Sequence, residues 1–356
     1  TGLRPSPADT VLDRALRRFV AFRNGPPGIA VVVHRGDEVR FHTAGVADVV
    51  TGARPQLDDH MRLASVAKAF SGAAALAVVA DGKLSLDSTI GDRLPALPTA
   101  WSKVTLRQAL NHTSGLPDFS QSSAFREALF ASLLVAPPPI ELLSYVADEP
   151  LEFRPGSRYQ YSNSDNIVVG LMIEAATGQP YEQVLRERVY NPLGLTRTSL
   201  PRGPEMPTPY IHGYEVAPLK DVSELFAAGW SWASGGVVST PRDADRFVRG
   251  YVAGATTDAA TRAEQLRFVT GGQSEPPGPG QNAAGLGIFR YQTTCGTVYG
   301  HTGNTAGYTQ FVAANADGTR STTVSINAQI TPKDDRAAFT FLRSIFSLAV
   351  CAALAK

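Results

Sequence analysis

The 356-residue chain has two cysteines, three methionines and three tryptophans, and only 18% of its residues are charged. Neither Cys295 nor Cys351 stands in a Cys/His spacing that zinc requires, so no metal is expected. No cofactor is expected either. The formal net charge of +1, with no basic stripe, speaks against nucleic acid as a partner. The most apolar window, Ile345 to Ala355, falls short of the ~20 residues of a spanning helix, so no membrane span is expected. The opening "TGLRPSPADT" lacks the basic start and apolar segment of a signal peptide and reads as the N-terminus of a mature chain. What these absences leave is a folded globular protein with a sizeable core. For the two cysteines, a pair of buried thiols and a bridge from a late strand to the last helix are both open readings. The bridge would imply an oxidising compartment.

The chain then divides by pattern. Val11, Leu12, Leu16, Phe19 and Val20 recur at helical spacing, predicting a helix from Pro7 to Phe22. "GIAVVVHRGDEVRFHTAGVAD" reads as a hairpin around its "RGDE" turn. Helical signals run from about Met61 to a stop at Asp81-Gly82, then over "VTLRQALNHTSG" with Thr105 as N-cap. Two more follow, one closed by Gly178 and one beginning at Pro180. "QSEPPGPGQNAA", from about Gln273 to Ala284, is a loop by composition. Strand-like runs and a last helix from about Asp335 complete the chain. Strands at both ends and helices between them predict an α/β plus α fold. Its antiparallel sheet (residues 1–60 and 284–356) is flanked by helices and carries an inserted, mainly helical region (61–283).

Three short motifs carry candidate chemistry. In "LASVAKAFSG", Ser65 and Lys68 lie one turn apart, so the lysine can reach the hydroxyl. A serine hydroxyl is a poor nucleophile until a neighbour takes its proton, and burial in an apolar stretch lowers a lysine's pKa enough for that task. The spacing alone equally suits a surface lysine on an amphipathic helix. In "YSN", Tyr161 can shuttle a proton if cations lower its pKa, and Asn163 can hold an amide by both ends; a plain helix entry is the alternative. In "GHTGNTAGY", His301 and Thr302 offer donors on a strand whose glycines mark close approach, or they sit in a simple bulge.

Taken together, the order S-x-x-K, Y-S-N, H-T-G resembles that of the serine penicillin-recognising family, where K-T-G is the commoner third motif. The resemblance extends over "GVADVVTGARP", "DGKLSLDSTIGDRLP", "VTLRQALNHTSGLPD", "RPGSRYQYSNSDNIVVGLMIEAATG" and "CGTVYGHTGNTAGY". It is similar there to secreted Streptomyces DD-peptidases and class C β-lactamases, and it covers nearly the whole chain. The resemblance implies the β-lactamase/transpeptidase fold and a secreted, extracellular hydrolase. It implies Ser65 as acylated nucleophile, Lys68 as base and Tyr161 as proton donor to the leaving amine. It also implies that Asn163 orients Lys68 and the substrate amide, while His301 keeps the site positive. Thr302 would donate to a substrate carboxylate, with Gly303 beside it, and the Ser65 and Asn304 N–H groups would form the oxyanion hole. Trp232 in "WSWASGG" would wall the cleft, and Cys295 and Cys351 would be bridged.

One departure stands out. Where the carboxypeptidases of this family hold the substrate carboxylate with an arginine, this chain has Phe289, and Arg290 beside it should face the other way. The expected activity is D-alanyl-D-alanine carboxypeptidase on a small or peptidoglycan-peptide substrate, with β-lactams as inhibitors or substrates. Esterase, D-amino-acid amidase and class C-type β-lactamase are the near alternatives, and a sensor that acylates once and stops is the remote one. The sequence carries no indication of oligomeric state.

Overall fold

The computed structural model describes residues 6–355; the first half of the "TGLRPSPADT" stretch lies outside them. Its frame is an eight-stranded, wholly antiparallel sheet. In chain order the strands are β1 (Gly28–Arg35), β2 (Glu38–Gly45), β3 (Val269–Thr270), β4 (Gln281–Ala284), β5 (Phe289–Thr293), β6 (Gly296–Thr305), β7 (Tyr308–Ala314) and β8 (Arg320–Ile326). In space they run β2-β1-β8-β7-β6-β5-β4-β3. The hairpin near the start of the chain therefore completes the sheet through β8, with Ile29 opposite Ile326.

β1 is apolar along its length because both its faces are covered. Ile29, Val31 and Val33 pack under two helices, α1 (Pro7–Val20) and the last helix, while Ala30 faces the core of the helical region. Ser6 and Asp9 form a capping box that fixes where α1 begins. The helical region is built on α2 (Ala67–Ala80) and α3 (Asn163–Thr177), which pack on each other. Gly178, at φ 68°, ends α3, and Gly82, at φ 72°, follows the end of α2, as the sequence predicts. A further helix, α4 (Pro241–Ala253), returns to pack on β1, β7 and β8.

Three expectations need correction. The segment taken as loop up to Ala284 contains β4, because Asn282 and Ala283 pair with Tyr291 and Arg290 in spite of the surrounding Pro and Gly. With α4, β3 and β4 all belonging to the sheet side, the helical insertion does not run on to residue 283. The last helix, α5 (Arg336–Leu354), has 19 residues and a mean hydropathy of 1.8, long and apolar enough to cross a membrane. It is instead packed between α1 and the sheet. Cys351 within it is bridged to Cys295, in the β5–β6 turn, with Cα atoms 5.2 Å apart. Neither cysteine is free.

Candidate active site

The site forms where α2 begins. A short 3₁₀ turn, Ala64–Val66, leads into α2 and presents Ser65, half-buried, at the junction with β6. Ala64 adopts φ 49°, a left-handed conformation costly for an L-residue, of the kind held at functional turns. Gly303 makes the approach of β6 possible. A Cβ there would stand 2.3 Å from the Leu63 carbonyl oxygen and 3.1 Å from the Ser65 nitrogen.

Lys68 is fully buried, one turn beyond Ser65. Its Nζ lies 3.1 Å from Ser65 Oγ, 2.7 Å from Asn163 Oδ1 and 2.7 Å from the Ser234 carbonyl oxygen. Burial lowers its pKa from 10.5 to about 7, against the opposing pull of Asp118 and Asp165. At neutral pH a substantial fraction is free amine, able to accept a proton from Ser65. Asn163 is committed on both sides. Its Nδ2 donates to Asp118 (3.0 Å to Oδ2) and to Ser120 Oγ (3.0 Å). Both its N–H bonds are used, so Asn163 orients Lys68 but has none left for a substrate amide. Asp118 completes this chain, and no sequence motif marked it.

Tyr161 stands across from Lys68, whose Nζ lies 4.9 Å from the ring centroid. Its hydroxyl is buried next to Ser65 without a hydrogen-bond partner of good geometry among the described residues. Burial pushes its pKa well above 10, the reverse of the lowering that proton shuttling by a tyrosinate would need. Before reaction it is therefore a phenol poised to donate, not an anion poised to accept. Behind it, His112 lies 4.5 Å away, ring to ring, and its Nδ1 is 2.7 Å from Asp165 Oδ2. Ser114 donates to the other Asp165 oxygen.

The third motif departs from what the resemblance implies. His301 is buried against Phe289, and burial brings its pKa down to about 3. Its Nδ1 lies 2.6 Å from the Thr302 carbonyl, which can only accept, so the proton is on Nδ1. His301 is neutral and does not keep the site positive. Thr302 Oγ1 donates to the Pro276 carbonyl oxygen and touches Ser274 Oγ, so it is not free for a substrate carboxylate. Phe289 fills the inward position, while Arg290 turns to the Phe268 ring at 4.8 Å, as alternation predicts.

Trp232 does not wall the cleft. It is buried beneath it, 5.0 Å from the Tyr181 ring, with Nε1 bonded to Glu182. Trp230, two residues earlier and itself largely buried, lines the cleft instead. Two cavities meet at Ser65, Asn163 and Asn304. The larger, about 870 Å³, is lined by Tyr161 and by Asp118, Glu149, Glu152 and Glu275, against one cation, Lys333. The smaller, about 260 Å³, is lined by aromatic side chains. Among the described residues no cluster of His, Cys, Asp and Glu is arranged to hold a metal.

Residues 12–345 match the Beta-lactamase family. The chain belongs to the β-lactamase family. Among curated relatives in this family, it is 27% identical over 270 residues to the D-alanyl-D-alanine-carboxypeptidase/endopeptidase AmpH of Escherichia coli (strain K12), covering 74% of this chain and 67% of that protein. It is 30% identical over 348 residues to esterase EstB of Burkholderia gladioli, covering 82% and 85%. A D-stereospecific amidohydrolase from Streptomyces sp. superposes with a TM-score of 0.78 at 27% identity, covering 93% of this chain and 97% of that one. The β-lactamase-family fold read from the sequence is the fold observed, and the chain is a serine hydrolase of this family.

Proposed function

We propose that the protein hydrolyses amides or esters through an acyl-enzyme on Ser65. The observation that carries this is the buried Lys68 amine, 3.1 Å from Ser65 Oγ and brought to a pKa of about 7. Lys68 takes the Ser65 proton as Oγ adds to the carbonyl, and the Ser65 and Asn304 N–H groups receive the developing oxyanion. Tyr161 gives its proton to the leaving nitrogen or oxygen as that bond breaks, and Lys68 returns a proton to Tyr161. Water then adds to the Ser65 ester and releases the acid.

Carboxypeptidase action on D-Ala-D-Ala follows from the motif order, but it calls for a cation at the terminal carboxylate. His301 is neutral, Thr302 is engaged, Phe289 replaces the arginine, and the large cleft carries four carboxylates. These features favour the amidase and esterase side of the family, with β-lactams as acylating ligands, outside the cytoplasm as the disulfide suggests. The test is a fluorophosphonate and a fluorescent penicillin, each with wild type and Ser65→Ala, followed by a panel of nitrophenyl esters, amino-acid amides and D-Ala-D-Ala peptides. Labelling on Ser65 alone, lost in the variant, with ester or amide turnover exceeding carboxypeptidase turnover, is expected. An adduct on another serine refutes the mechanism.

A further inference from the structure

We propose that His112, held by Asp165, is a positioning residue that aims the Tyr161 hydroxyl at the leaving group. This rests on the Ser65 acyl-enzyme reading, in which Tyr161 supplies the leaving group with its proton. The Tyr161 hydroxyl has no hydrogen-bond partner of good geometry among the described residues. Nothing at its polar end fixes its direction, so the O–H points where the ring and the flanking backbone place it. His112 holds both. Its carbonyl oxygen accepts from Gln160 N at 2.9 Å, and Ser162 N reaches its Nδ1 at 3.5 Å. The residues before and after Tyr161 are thus tied to one histidine, whose ring lies 4.5 Å from the tyrosine ring.

The imidazole is held in turn. Asp165 Oδ2 lies 2.7 Å from Nδ1, and the other carboxyl oxygen takes the Ser114 hydroxyl. Ser114 Oγ itself accepts from Leu116 N at 2.9 Å. Asp165 is fully buried in the first turn of α3, two residues beyond Asn163. One helical turn therefore orients Lys68 through Asn163 and Tyr161 through His112. The backbone is strained at this point: His112 sits at φ 58°, a left-handed conformation that residues other than glycine seldom adopt. Burial brings its pKa down to about 3, so it adds no charge beside Lys68 and acts by geometry.

The experiment compares p-nitrophenyl butyrate with ethyl butyrate, so that only the leaving group differs. Nitrophenolate leaves as a stable anion, whereas ethoxide must take a proton as it departs. Asparagine tolerates the left-handed backbone but lacks the ring. His112→Asn should lower kcat/KM for the ethyl ester by about 10²-fold while the nitrophenyl ester changes by less than about 3-fold. Asp165→Asn keeps the shape of the carboxyl and should shift the ratio the same way by about 10-fold, as one weakened hydrogen bond would. It covers the case of a His112→Asn protein that fails to fold. Both rates come from one preparation, so their ratio does not depend on the fraction folded. Tyr161→Phe should show the same selective loss, and adding His112→Asn to it should lose nothing further. A ratio unmoved in both variants, or additive losses in the double variant, overturns the positioning role. Equal slowing of both esters by Tyr161→Phe, or a wild type unable to cleave the ethyl ester, would instead strike the reading of Tyr161 as proton donor.

Discussion

At the scale of single residues, His301 separates this site from one with lysine in the third motif. Buried and neutral, with a pKa of about 3, it contributes no charge in the working range, and the pH dependence of acylation falls to Lys68. Acylation should rise with pH through about 7 as Lys68 loses its proton, then level off. His301→Lys puts a second ammonium near Lys68, which disfavours the charged form of each. The rising limb should move to lower pH by about 0.5 to 1 unit. Stopped-flow acylation against pH, with one penicillin and one ester, measures it; superimposable profiles would show that residue 301 does not sense Lys68. Ser65, Lys68, Tyr161 and Asn163 were all legible in the sequence because short-range spacing brings them into two motifs. Asp118 was not, since it reaches Asn163 across 45 positions from a loop with no signature. Of the two tryptophans of "WSW", the resemblance pointed to Trp232, and the structure puts Trp230 at the cleft instead. Which one faces the cleft is decided by a turn at Ala228–Trp230 and by Trp232 at φ 36°.

At the scale of elements, the site depends on how closely β6 lies against the turn that carries Ser65. Gly303 is the point of contact, and no side chain fits there without displacing backbone. Gly303→Ala should slow acylation by about 10²-fold, because a shift of ~1 Å between reacting groups costs on that order. The burst of nitrophenol on mixing with ester reads this directly; a full-rate burst would mean that β6 has room to spare. Helix limits set by local signals, such as Gly178 after α3 or the N-cap at Thr105, were readable from the sequence. β4 was hidden because its identity comes from pairing with β5 and not from its own residues.

At the scale of the whole molecule, the buried Lys68 makes stability depend on pH. Its pKa is lowered from 10.5 to about 7 on folding, so between those values the unfolded chain holds a proton that the native one lacks. Stability therefore rises with pH across that window: the cost of burying Lys68 is fullest below pH 7 and is gone above about 10.5. Urea midpoints at pH 7, 8 and 9.5 should increase for wild type relative to Lys68→Met. Parallel midpoints would mean that Lys68 is charged in the native protein throughout.

The joining of β1 to β8 also has a consequence in time. Gly28 meets Asn327 across 299 positions, so the hairpin must wait during synthesis for a strand made far later in the chain. Contacts so distant in sequence are slow to form, and until then the apolar face of β1 has no partner on that edge. Ribosome-bound chains stopped before residue 320 should then be open to protease and blind to penicillin, and catalytic competence should appear in a single step once β8 emerges.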